Sequence, residues 1–299
     1  MNAFTPAIAA PALASRAMLM SLKISQWSAR RLDREITDEV NSSHGASADA
    51  GRYNKLLIDK EALADVVRVA GEARSEFLKR TLPWMDDGQR IMAADAYLAH
   101  SSWFSAQRQK FDDAVEDFLA MYPSHVNAAR VKLNGMFRDE DYPTVSELRG
   151  KFKMEINVMP VPNASDFRVD MSAEQAELIR RDIEANVQKA TATAVGDVYR
   201  RVAECCERMV ERLNAYKPAK GKGTKSEGVF RDSLVENVRD LIKIMPSLNI
   251  TGDVRLAEIA DHLQEIARFD AKVLREDAEV RKNVAEEAQK ILANVSDYF

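Results

Sequence analysis

The tract Gly252–Phe299 has no proline and, after its first residue, no glycine. Apolar side chains recur there at Leu256, Ile259, Leu263, Ile266, Val273, Val280, Val284, Ile291 and Val295. Steps built from threes and fours mark one stripe along a helix. A single helix over this tract would reach ~70 Å, longer than a compact domain of this size is wide. It must then lie along a second long helix or on a partner. A second rod is present in the pattern. Ser172 and Gln175 form a capping box that opens a helix to about Tyr216, closed by Pro218. Its stripe runs from Ile179 and Ile183 through Val187, Val198 and Val202 to Cys206, Met209 and Leu213. A helix from about Phe230 to Met245, ended by Pro246, lies between the rods. Strict heptads from Leu256 place Asp270 and Asp277 in the seam, which predicts a drift in register there. Val280, Val284, Ile291 and Val295 then form an apolar edge expected to meet a partner chain or the Ser172–Tyr216 rod.

The first half of the chain reads differently. Met20, Leu22 and Ile24 alternate with polar residues, which predicts a strand over Met18–Trp27. Helices are expected from Ser28 to about Asn41, from Asp59 to about Leu82, and from about Gln89 to Met121. Pro123 should break the last of these and Ser124 restart a short helix that Gly135 closes. Thr144 and Glu147 form a capping box for a short helix. Alternation returns at Lys153–Val158 and Phe167–Met171, so a small sheet joins these two strands to the first. The predicted fold is mainly α with a small β element. A flexible N-terminal arm covers 1–17, an α+β head 18–171, and a long, coiled-coil-like helical stalk 172–299, with a basic loop at 217–228.

Composition narrows the function classes. The net charge is −4, with 30% charged residues, so a nucleic-acid role needs a local basic patch. Lys217, Lys220, Lys222 and Lys225 supply one, in a glycine-containing run with no phosphate-loop spacing and no interleaved aromatics. They are candidate nucleic-acid contacts, set against the plainer reading of a solvated linker. Arg30, Arg31 and Arg34 share a helix with acids and read as a solvated face. The only cysteines are Cys205 and Cys206. They read as packed thiols in a reducing compartment, and the expected location is the cytoplasm of a bacterial host. No stretch has the ~20 apolar residues of a membrane span.

No catalytic, cofactor or metal set stands out. His44, His100, His125 and His262 are too far apart in sequence for a zinc signature and read as surface or capping residues. Asp86–Asp87, Asp112–Asp113 and Asp139–Asp141 could hold a cation or run acid–base chemistry, but each reads better as turn or cap chemistry.

Several short motifs in order carry a resemblance. They are Leu22–Asp33 (LKISQWSARRLD), Gly51–Ile58 (GRYNKLLI), Thr81–Trp84 (TLPW), Pro160–Pro162 with Asp166–Val169, and Phe230–Asn237 (FRDSLVEN) leading to Leu248–Ile250. Over about Leu22 to Leu263 the chain resembles a family of uncharacterised proteins of tailed phages and bacterial mobile elements. The resemblance implies a phage context and neighbours such as a MoxR-like AAA+ ATPase and a von Willebrand-type protein similar to cobaltochelatase subunits. It carries no activity onto residues. The expected function is therefore non-enzymatic: an assembly or adaptor protein acting through homo-oligomerisation or protein partners, the AAA+ ATPase among them. The alternative is a nucleic-acid-binding accessory protein using the basic loop.

Overall fold

The computed structural model describes residues 10–85, 88–164, 172–219 and 225–298. About 69% of them are helical, with one small antiparallel sheet of four strands, which makes the fold mainly α with a small β element. The chain groups into two compact units. The first contains residues 1–21, 77–100 and 158–299; the second contains 22–76 and 101–157. Residues 77–100 thus belong with the helical C-terminal half and not with a head at 18–171.

In the first unit, helix α1 (Ala10–Arg16) leads into strand β1 (Ala17–Ser25). Leu13 is 1% exposed and sits in the unit's core. From residue 10 onward, then, the expected flexible arm is packed structure; residues 1–9 lie outside the described residues. Strands β4 (Leu82–Pro83) and β5 (Arg90–Ala93) follow, where a helix from Gln89 was expected. Pairing with β1, which runs antiparallel from Ala17↔Ala93 to Met20↔Arg90, holds Arg90–Ala93 extended, and the α-helix begins only at Tyr97. The sheet order is β4-β5-β1-β6, with β6 at Lys153–Pro160. The strand expected at Phe167–Met171 lies outside the described residues.

Helix α6 (Ala173–Ala215) is the long rod expected from its stripe, and Ser172 caps it by accepting from the Gln175 N–H. Its buried face runs from Val187 through Ala194, Val198, Val202 and Cys206 to Leu213. Helix α7 (Ser233–Leu248) continues through Pro246, with Met245 and Leu248 buried on either side of it.

The C-terminal tract is not one rod. It forms α8 (Val254–Ala267), α9 (Ala271–Glu276) and α10 (Ala278–Val295). The two seam aspartates are the reason. Asp270 and Asp277 both have extended backbone and stand as N-caps. The Asp277 carboxylate accepts from the Glu279 and Val280 N–H groups. A carboxylate that would cost energy in an apolar seam satisfies orphan helix donors at Asp277, while the Asp270 carboxylate turns outward to accept from Arg239 at 2.9 Å. The fold-back lays α10 along α6. Val284, Ile291 and Val295 are buried in the unit's own core, and Val280 packs against it. These four residues were expected at a partner interface. The chain's own α6 occupies that edge.

The second unit holds the short β2 (Arg30–Leu32) and β3 (Asn54–Leu56), paired antiparallel with Arg31 opposite Lys55. Asp33 follows β2 directly and caps α2 (Arg34–Ser43), so the expected helix start at Ser28 moves six residues on. Helix α3 (Ala64–Arg80) and helix α4 (Tyr97–Leu133) supply the core face, and α5 (Val145–Arg149) carries the expected Thr144–Glu147 capping box. α4 runs through Pro123 without breaking. A proline inside a helix costs ~3 kcal/mol, but Phe111, Val115, Phe118, Leu119, Tyr122 and Ala129 are buried on both sides of it. At ~1.5–3 kcal/mol per large buried side chain, that packing outweighs the penalty.

Candidate functional site

The densest buried charge in the second unit centres on Lys55. Ladder register puts it opposite Arg31, and chain continuity puts Asp33 at the cap just beyond. Lys55 is 2% exposed. Its Nζ lies 3.0 Å from Asp33 Oδ2 and 2.7 Å from Asp141 Oδ2, and it donates to the Met136 carbonyl at 2.8 Å. Of the ammonium's three protons, two are donated, to Asp33 and the Met136 carbonyl, and the Asp141 contact is an ion pair. Arg31 Nε pairs with the other oxygen of Asp141 at 3.0 Å, and Arg138 pairs with Glu35.

These contacts set the protonation states. Burial opposes the charged form of Lys55, but the hydrogen bonds and charges of Asp141 and Asp33 overcome it and hold the amine above its ordinary range. The Lys55 hydrogen bond, helped by the Ile36 N–H and the Arg138 charge, outweighs burial and holds Asp33 below its ordinary value. A protonated amine is no nucleophile, so this lysine does not suit Schiff-base chemistry. It ties β3 to the cap of α2 and to the turn at 136–141. An open pocket of about 610 Å³ overlies it, bordered by Arg34, Glu35, Arg138 and Glu140. Its charges balance.

A second concavity of the same unit is different in character. It lies along α3 and α4 and has a volume of about 640 Å³. Val66, Val69 and Phe118 form a buried apolar floor, and Met121 is 54% exposed at one edge. The His125 ring stacks on Phe118 at 6.1 Å. Glu61, Asp65, Glu72, Asp113 and Asp117 stand on the rim, against Arg68 and Lys110. Arg68 is committed to Asp65 and Glu72. Helical spacing explains the layout: residues three and four apart fall on one face, so Glu61, Asp65 and Glu72 line one wall and Asp113 and Asp117 the other.

The first unit contains two arginines at the end of α3. Arg90 and Arg201 both donate to the carbonyls of Leu78 and Thr81, and Arg201 also to that of Lys79. They satisfy the orphan acceptors of the helix C-terminus and oppose its dipole. His100 is 2% exposed beside the Phe77 ring, contrary to a surface or capping role, whereas His44 is the C-cap of α2. Burial raises the Cys205 thiol to about 11 and the Cys206 thiol to about 12, so both are packed thiols.

The remaining sequence candidates scatter. Asp112 pairs with Arg108 and Asp139 with Arg130, while Asp141 joins Lys55. Asp86 and Asp87 lie outside the described residues. Among the described residues no group of three His, Cys, Asp or Glu side chains is placed to hold a metal ion, and no helix is long and apolar enough to cross a membrane. Of the loop lysines, Lys217 and Lys225 are exposed, and Lys217 pairs with Glu227 at 3.3 Å; Lys220 and Lys222 lie outside the described residues. Lys55 was passed over because its partners are distant in sequence and its neighbours look like an ordinary polar strand. The groove acids carry a visible signal in their i,i+4 spacing, but only the fold shows that two such faces confront each other.

The sequence matches no protein-family model, no curated protein and no solved structure.

Proposed function

We propose that the chain is an adaptor that acts by binding a protein partner, and that the α3–α4 groove takes a basic amphipathic helix of that partner. The observation that carries this is the groove's make-up: a floor of Val66, Val69 and Phe118 with an exposed methionine, under a rim of five acids and two bases. An apolar floor accepts the leucine-type face of a helix, and the acidic rim selects lysines or arginines beside it. Methionine suits such a surface because its side chain repacks readily. The phage setting and an AAA+ ATPase partner belong to the same proposal, on the strength of the sequence resemblance alone. Binding rather than catalysis fits the chemistry described: the buried amine is protonated and ion-paired, and both thiols are held in the neutral form.

The test uses a lysine–leucine heptad peptide and its glutamate–leucine counterpart, titrated by calorimetry. The basic peptide is expected to bind in the micromolar range, about −8 kcal/mol. Reversing two rim charges (D113K/D117K) should weaken it about tenfold or more while the thermal midpoint holds. Equal binding of the two peptides, or an unchanged affinity in the double variant, refutes the reading.

A further inference from the structure

We propose that the base of the 217–227 loop, in the first unit, is a binding site for the phosphate backbone of a single-stranded nucleic acid, with Arg212 and Arg231 as its principal contacts. The chain is acidic overall, yet residues 212–231 contain six Lys and Arg and a single acid, Glu227. The fold brings two of these cations, Arg212 and Arg231, to one cleft. Lys217 and Glu227 form an antiparallel bridge, each N–H donating to the other's carbonyl at 3.0 Å. Gly228 follows with φ +62°, and a Cβ there would lie 2.3 Å from the Ala215 carbonyl oxygen. Only glycine permits that approach. The loop is therefore pinned at its base by backbone, whatever its lysines do.

Beneath the base, Tyr216 meets Phe230 edge-on at 5.3 Å. Two further guanidiniums cover these rings: Arg275 lies over Phe230 and Arg281 over Tyr216. Arg275 neutralises Asp232 at 2.8 Å and Lys217 neutralises Glu227 at 3.3 Å, which leaves Glu211 and Glu236 as the flanking acids. Arg212 and Arg231 make no ion pair or hydrogen bond among the described residues, and both are exposed. They border a cleft of about 280 Å³ whose other walls include Val229, Ser233, Leu234 and Asn237. Val229 is 60% exposed.

The chemistry matches a nucleotide. Guanidiniums bind phosphate oxygens in a bidentate fashion. A serine hydroxyl and an asparagine amide offer base-edge hydrogen bonds, and the Val229 and Leu234 side chains offer a surface for a sugar or base. A cleft of that volume holds one nucleotide and no duplex. Cations at 212, 225 and 231 favour a regularly charged phosphodiester over a peptide, whose carboxylates are irregular and whose backbone carries no charge.

The experiment is fluorescence anisotropy of the full chain with labelled oligothymidylate of about 20 nucleotides, and in parallel with a glutamate-rich peptide of equal charge. The oligonucleotide should bind tighter than the peptide. Its affinity should fall about 20-fold between ~50 and ~200 mM salt, as about three phosphate contacts require. R212A/R231A should lose about tenfold or more in affinity and keep the parent's thermal midpoint. The surface sites make misfolding improbable, and R212K/R231K checks the point: lysine keeps the charge and should recover part of the loss. Three results would overturn the proposal: tighter binding of the peptide, no oligonucleotide binding at low salt, or parental affinity in R212A/R231A. R212A/R231A should leave the affinity of the lysine–leucine peptide for the groove unchanged, so failure here and failure of the groove reading are separable.

Discussion

Lys55 and His100 are each 2% exposed, and burial disfavours the charged form of both, but their neighbours take them in opposite directions. Lys55 finds two carboxylates and a carbonyl, and stays charged. His100 sits against the Phe77 ring, and burial, with the Arg80 charge adding to it, pushes its imidazole down to about 4 from 6.5. The unfolded chain takes up that proton at 6.5, while the folded one refuses it until about 4. Stability from this group is therefore complete above 6.5 and declines as pH falls toward 4. Unfolding in urea at pH ~7.5 and ~4.5 should show the parent losing ~2.5 kcal/mol more than His100→Gln. An equal loss in the two proteins would refute the assignment. Neither residue could be read from its neighbours in sequence. Ala99 and Ser101 flank the histidine, and Asn54 and Leu56 the lysine, and nothing in those tripeptides reports what is packed around them.

At the scale of elements, local chemistry was legible and long-range choice was not. The Thr144–Glu147 box, the Ser172 cap and the stripe of α6 depend on residues a few positions apart, and the structure keeps them. Pro123 and Pro246 were read as stops, yet both lie inside helices because buried side chains flank them. The C-terminal tract shows the opposite error. Its stripe is real, but Asp270 and Asp277 act as caps and divide it, and the apolar edge from Val280 to Val295 serves α6. A substitution separates the two descriptions. If residues 252–299 formed one helix, Asp277→Ala would stabilise it, alanine being the best helix former. With Asp277 as the cap of α10, Asp277→Ala should instead cost ~1 kcal/mol, and Asp277→Asn, which keeps the cap, only a few tenths. Urea midpoints of the two variants decide the matter, and a gain in the alanine variant would restore the single rod.

For the whole molecule, the fold class was legible from the dominance of helical spacing, but the division of the chain was not. Contiguous reading suggested a cut near residue 171. The first unit's core instead gathers Leu13, Leu19, Leu82, Trp84, Ile91 and Val161 with the side chains of α6 to α10. A fragment of residues 172–299 should therefore keep helical far-ultraviolet dichroism, lose its near-ultraviolet signal and bind a hydrophobic dye. Cooperative unfolding of that fragment with an intact near-ultraviolet spectrum would contradict it. The division has a further consequence, for synthesis. The chain passes between the units within β1, α3, α4 and β6. On the ribosome the second unit has all its residues once position 157 has emerged. The opening segment of the first must wait for the closing helices, which at ~5–20 residues per second is a delay of roughly 15 to 55 s. For that interval Leu13 and Leu19 are apolar residues of a nascent chain whose counterparts have not yet been translated.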